Sequence, residues 1–231
     1  MRKRAKNLKP AMPQILKVDP NTEDVFTKAR KVLLAGGVIA FPTDTFYGLG
    51  VDPSNREAVN KVFELKGREK NKPLILLISS RVQLETMVKE ITPAHSALIQ
   101  KFWPGPLTLL FKPSSVIPEN VLAGSNRIGI RQPGNTMTRN LISTLGQPVT
   151  APSANLSGES PPITAKQVQQ SFGNQVDLII DGGTCQGGKS STLVDAVEMP
   201  VRLVRQGAIT FSAIETALRN IAETVHPEVL G

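Results

Sequence analysis

Lys66-Gly67-Arg68 sets two cations one residue apart, and Ser153-Ala154-Asn155 repeats that spacing with a hydroxyl and an amide far down the chain. Arginine offers a planar fork of N–H donors and lysine a mobile point charge, and both suit phosphate oxygens. Lys61, Lys66, Arg68, Lys70 and Lys72 outnumber Glu64 and Glu69 over this stretch. Such a run is either a solvated loop or a polyphosphate clamp. In a partly screened site a unit-charge pair at about 4 Å is worth on the order of 4 kcal/mol before desolvation, so several converging cations suffice to hold a nucleotide. Pro42-Thr43-Asp44-Thr45 leaves an apolar run and turns polar, with the sole tyrosine, Tyr47, close behind. That stretch reads as a tight turn bonding its own backbone, or as a hydroxyl-lined corner for a small ligand. Together the three stretches point to a nucleotide-dependent, phosphate-handling site.

Other candidates weigh less. Gly183-Thr184-Cys185-Gln186-Gly187-Gly188-Lys189-Ser190 fits G-x-x-x-x-G-K-[ST] letter for letter. A phosphate-binding loop of that kind needs a helix to start at the lysine. Here Ser191-Thr192-Leu193-Val194-Asp195 follows, which reads as strand, so the stretch is expected to be a glycine-rich connection. Ser191 and Thr192 still present hydroxyls. Ser153 lacks a G-x-S-x-G elbow and a histidine with a route to it, so it is not a hydrolase nucleophile. Arg131 and Arg205 each end a short apolar strand, as solvated ends or as a bracket for a carboxylate or phosphate. His95 reads as a helix-surface residue, Cys185 as a loop thiol and Trp103 as a core side chain.

The elements that must carry these groups follow from periodicity. Helices are expected near 22–35, capped by Asn21 or Thr22, and near 55–65, 82–88, 94–102, 137–145, 165–172 and 212–222. Strands are expected at 15–18, 38–41, 74–78, 107–111, 128–131, 149–151, 176–180, 192–194 and 201–204. Gly36-Gly37 ends the first long helix as a left-handed cap would. Strands alternate with helices at first and cluster later. That mix predicts one α/β domain, with α+β character, on a twisted open mixed sheet whose strand ends carry the ligand loops.

The net charge of +8 describes the amino-terminal segment more than the body. Residues 1–18 hold six of the 27 bases and no acid, which leaves 21 bases against 19 acids elsewhere. Residues 1–14 are expected to be a disordered basic tail, or an RNA-tethering arm. Residues 15–222 form the catalytic domain and 223–231 a frayed end. One cysteine and two histidines exclude a disulfide framework and a Cys- or His-rich metal centre, so a metal would arrive as Mg²⁺ on phosphate. No apolar run approaches ~20 residues, so no membrane span is expected, and reducing cytoplasm is the natural compartment.

These residues also spell a family pattern. From about 19 to 216 the chain resembles the YrdC-like family of threonylcarbamoyl-AMP synthases. The match is carried by 42–50, the KxR of 66–68, Trp103-Pro104-Gly105-Pro106-Leu107-Thr108, Ile130-Arg131, 151–158 with its SxN, Asp181-Gly182-Gly183, Ser191-Thr192 and Leu203-Val204-Arg205-Gln206-Gly207. The resemblance implies an open α/β fold with a concave basic cavity. It implies a nucleotidyl transfer that joins L-threonine, bicarbonate and ATP, with Mg²⁺ on the phosphates, into threonylcarbamoyl-AMP and pyrophosphate. A separate transferase complex would then modify the tRNA adenosine beside the anticodon, and a tRNA contact by this chain is left open. By the same resemblance Lys66, Arg68, Ser153 and Asn155 are catalytic. Lys66, Arg68, Lys72, Ser153, Asn155 and Arg205 bind ATP. Thr45, Arg131, the Ala151 backbone and Ser191 hold threonine, Arg131 through its carboxylate. The chain departs from many members by having Leu77 and Asn135 where they have histidine. The first removes a threonine contact and the second bears on local loop geometry. The extra carboxyl-terminal domain of longer members is not expected within these residues. The alternatives are a non-catalytic RNA-binding protein with a basic cavity, and the carbamoyl-transferring relative of hydrogenase maturation, which uses cysteine-bound zinc.

Overall fold

A computed structural model describes residues 13–18 and 22–219. Asn21, one of the two expected caps, most of the basic segment and the end beyond 219 lie outside the described residues, and Thr22 is the first residue of the helix. In chain order the elements are β1 (Gln14–Lys17), α1 (Thr22–Leu34), β2 (Ile39–Phe41), β3 (Gly48–Gly50), α2 (Arg56–Lys66), β4 (Leu76–Leu77), α3 (Arg81–Met87) and α4 (Pro93–Phe102). Then come β5 (Leu107–Phe111), α5 (Glu119–Leu122), β6 (Ile128–Arg131), α6 (Thr136–Leu145), β7 (Val149–Thr150), α7 (Ala165–Phe172), β8 (Leu178–Asp181), β9 (Thr192–Asp195), β10 (Arg202–Arg205) and α8 (Phe211–Leu218). The first strand begins at Gln14, inside the stretch expected as tail. The last helix ends at Leu218, and 220–222 are outside the described residues.

The single sheet expected from the sequence is two sheets. One has the order β1-β8-β2-β3 and the other β10-β9-β5-β6-β4-β7. Their edges, β3 and β7, meet without merging. An isolated bridge pairs Gly48 with Ser153, and Leu49 N–H donates to Pro152 O at 2.8 Å. Pro152 has no N–H to return, so a continuous ladder stops there. The stretch 48–50, where no strand was expected, is a strand. Two glycines around a single leucine give no periodic signal, and only pairing with β2 defines the strand.

Strand alternation serves two buried faces. Ile39 and Phe41 of β2, with Leu178 and Ile180 of β8, pack under α1 and α6 beside Phe26, Leu33 and Ile142. Ala40 and Ile179 point the other way, into the larger core with Leu49, Phe63, Leu76 and Phe111. Both faces being covered explains why these strands read as continuous apolar runs.

His95 is a correction. It is 1% exposed, not a surface residue. Its Nδ1 accepts from Thr92 N–H at 3.2 Å in a capping box, its Nε2 meets Leu110 O at 2.9 Å, and its ring stacks on Phe111 at 4.2 Å. Burial pulls its pKa down. Asn135 caps α6, with its side chain accepting from Thr138 N–H at 3.0 Å. Trp103 packs beside Phe111, as expected for a core side chain, and donates to Leu107 O. No helix among the described residues is long and apolar enough to cross a membrane.

Candidate active site

The KxR stretch works through its glycine. Asn55 caps α2 and Lys66 is that helix's last residue. Gly67 adopts the left-handed conformation, φ 57°, which reverses the chain at little steric cost. Lys66 and Arg68 therefore leave the helix end in different directions. Lys66 is 3% exposed, and its ammonium donates to Ser153 O at 2.5 Å and Asn155 O at 2.7 Å. Ser157 N–H returns a bond to Lys66 O at 2.8 Å. Burial, then the nearby Arg68, pull the Lys66 pKa down to about 8. Arg68 donates to Lys72 O and Pro73 O, which pins the 68–73 loop.

A cavity of about 330 Å³ opens where β3 meets β7. Arg68, Ser153, Arg131, Arg205, Thr45 and Ser191 line it, with the Ala151 backbone and an aliphatic wall from Ile75 and Leu77. Residues from the first, middle and last thirds of the chain thus share one space. Lys66, Lys72 and Asn155 line a smaller adjoining depression of about 220 Å³, which shares Arg68 and Ser153 with the cavity. Lys72 is exposed and paired with Glu69 at 3.0 Å. Asn155 is buried, donates to Leu156 O and Glu159 O, and leaves its Oδ1 unpartnered among the described residues.

Three guanidiniums set the cavity's charge. Burial lowers the pKa of Arg68, and Arg205 lowers it further. Burial also lowers those of Arg131 and Arg205. Burial destabilises each of these groups as a cation; Asp44 offsets that cost at Arg131, and an arriving anion would offset it at Arg68 and Arg205. Arg205 also donates to Ser191 O at 3.0 Å, and Ser191 Oγ lies 2.8 Å from Thr108 Oγ1. Ala151 N–H is committed to Ile75 O at 3.0 Å, so it is not free to donate to a ligand. Leu77 sits in the wall beside Ile75, making that side of the cavity apolar.

The sequence offers Asp44 and Tyr47 as members of a polar corner but not their partners: Asp44 pairs with Arg131, and Tyr47 donates to Gly183 O at 2.7 Å. Thr108, which stands behind Ser191, is not singled out by the sequence as a site residue. Burial, then Asp181 and Cys185, push the Tyr47 phenol upward, so it stays a donor. The stretch 183–190 has no helix, and β9 follows it, which rules out the phosphate-binding loop its letters mimic. Cys185 in that stretch is buried, which pushes its thiol up to about 11.

The profile of the Sua5/YciO/YrdC family, described as telomere recombination, matches residues 31–207. The threonylcarbamoyl-AMP synthase of Pyrococcus abyssi is 40% identical over 196 residues, 85% of this chain and 57% of that protein. That of Bacillus subtilis is 39% identical over 194 residues, 83% of this chain and 56% of that protein. A crystal structure of P. abyssi Sua5 complexed with L-threonine superimposes with a TM-score of 0.86 at 36% identity, over 94% of this chain and 63% of that one. The chain spans a little over half the length of these curated relatives. Profile, identity and fold agree: the chain belongs to the Sua5/YciO/YrdC family.

Proposed function

We propose that the protein condenses L-threonine, bicarbonate and ATP into threonylcarbamoyl-AMP and pyrophosphate. One observation carries this reading: Arg68, Arg131 and Arg205 share a single cavity with Thr45, Ser153 and Ser191. The relative of similar fold that holds L-threonine supports it.

The threonine amine and bicarbonate give an N-carboxylate and water. A carboxylate oxygen attacks the α-phosphorus, and the bond to pyrophosphate breaks. Charge grows on the phosphate oxygens as it does so, and preorganised cations lower that barrier. Arg68 and Arg205 supply this charge. Lys66 holds the 153–157 turn in place so that Ser153 and Asn155 meet the nucleotide. Lys72 reaches the outer phosphates from the adjoining depression. Arg131 binds the threonine carboxylate, flanked by Thr45 and Ser191. Mg²⁺ enters on the ATP phosphates as part of the substrate. The product would pass to a separate threonylcarbamoyl transferase complex acting on tRNA, and the bases of 1–18 supply charge for a tRNA contact.

The test is pyrophosphate release from ATP in the presence of each of several amino acids, with and without bicarbonate. The expected result is release only when threonine and bicarbonate are both present. Hydrolysis of ATP to ADP without threonine would overturn the assignment.

A further inference from the structure

Arg131 is 3% exposed, and three bonds already hold its guanidinium among the described residues. Its Nε donates to Gly105 O at 3.0 Å, its Nη1 to Thr45 Oγ1 at 3.2 Å, and its Nη2 to Asp44 Oδ1. A guanidinium has five N–H groups. Two are therefore left, one on each terminal nitrogen, at the wall of the cavity.

Asp44 does not line that cavity. It lies behind it, in a separate cleft of about 490 Å³ with Gly105, Gly134 and Lys189. Its carboxylate is committed to Arg131 through one oxygen. The other oxygen, Oδ2, is buried with no hydrogen-bond partner among the described residues. Gly134 packs against it so closely that a Cβ there would sit 3.1 Å from Oδ2. An unpaired guanidinium this deep is costly, and an unsatisfied carboxylate oxygen is costly too. The arrangement tolerates the second cost and avoids the first, so the carboxylate is spent on Arg131.

We infer that Asp44 is a positioning residue for the amino-acid substrate: from outside the cavity it fixes Arg131 so that its two remaining N–H groups meet the substrate's carboxylate. This rests on the proposed function, which assigns the cavity to threonine. Asp44 itself touches no substrate. It sets the plane of the guanidinium, which Thr45 and Gly105 alone would leave free to pivot about Nε and Nη1.

The experiment is calorimetry on the full chain, with the wild type and the variants Asp44→Ala, Asp44→Asn and Arg131→Ala. The ligands are threonine, ATP, and threoninol, which has the same amine and side chain but CH₂OH in place of the carboxylate. Loss of a bond to a charged group predicts that Asp44→Ala weakens threonine binding about 10–100-fold, with ATP binding within about twofold. Asp44→Asn keeps an acceptor without the charge and falls between. Threoninol binding changes little, so the preference for threonine over threoninol narrows. In the Arg131→Ala background, Asp44→Ala adds nothing further, because the two act as one unit.

Unchanged threonine affinity in Asp44→Ala, an equal loss of threonine and ATP affinity, or additivity with Arg131→Ala would each overturn the inference. If Asp44→Ala does not fold, Asp44→Asn decides: unchanged threonine affinity there overturns it. Pyrophosphate release by the wild type is read in parallel. Threonine binding without turnover sinks the proposed reaction and leaves the Asp44 comparison readable. Turnover with an indifferent Asp44 sinks only the positioning role. A wild type that binds no threonine overturns both.

Discussion

The ammonium of Lys66 lies 2.5 Å from the carbonyl oxygen of Ser153, 87 residues further along the chain. With the bond to Asn155 O, it ties the end of α2 to the turn that carries the SxN residues. One cation thus joins the two halves of the proposed nucleotide site. The same burial that permits the tie makes the charge costly.

That cost gives a pH dependence. The unfolded chain holds this proton up to about 10.5, and the folded chain only up to about 8. Below 8 both states are protonated, and the burial cost is fully present. Between 8 and 10.5 the unfolded state binds more protons, so stability rises with pH through that window. Denaturant unfolding across it should show a rise in the wild type that is missing in Lys66→Met. Parallel slopes in the two proteins would rule it out. In activity, kcat/KM for ATP should fall as pH passes about 8, because that ratio reports the free enzyme.

Arg68 faces the cavity and also pins the 68–73 loop through Lys72 O and Pro73 O. Arg68→Ala should reduce pyrophosphate release about 100-fold or more, the scale for losing one preorganised charge-stabilising donor. The fold should survive, with a stability loss of about 1 kcal/mol by denaturant unfolding. A rate equal to wild type would remove Arg68 from the site.

Gly207 has no space for a side chain. A Cβ there would lie 2.1 Å from Ser190 O and 2.6 Å from both Ser191 C and Thr192 N. These are backbone atoms and cannot step aside. Gly207 N–H also donates to Thr192 Oγ1 at 3.0 Å. Gly207→Ala should cost about 3 kcal/mol or more, and should displace Ser191 and Arg205 from the cavity wall. A denaturation midpoint within error of wild type would contradict this.

Asn135 offers the opposite case, a helix cap whose loss should leave the chemistry alone. Asn135→Ala removes the acceptor for Thr138 N–H and should cost about 1 kcal/mol of stability. The KM values for threonine and ATP should stay within about twofold, since Asn135 makes no part of the cavity wall. A large KM change would mean that the turn before α6 contributes to binding.

The sequence alone determined the local pieces. The helix near 55–65, the left-handed end at Gly36-Gly37, and the strand ends at Arg131 and Arg205 are all written in residue type and spacing. Periodicity and steric restriction act over a few residues, so a local pattern is enough to show them. Tertiary structure decided which way the charges face. Lys66 turns inward to two carbonyls, Arg131 is paired from behind by Asp44, and His95 is buried against Phe111. It also split one expected sheet into two at Pro152. A polar side chain has the same letter whether it is solvated or buried. Its partner, here often more than eighty residues away, exists only once the core has packed.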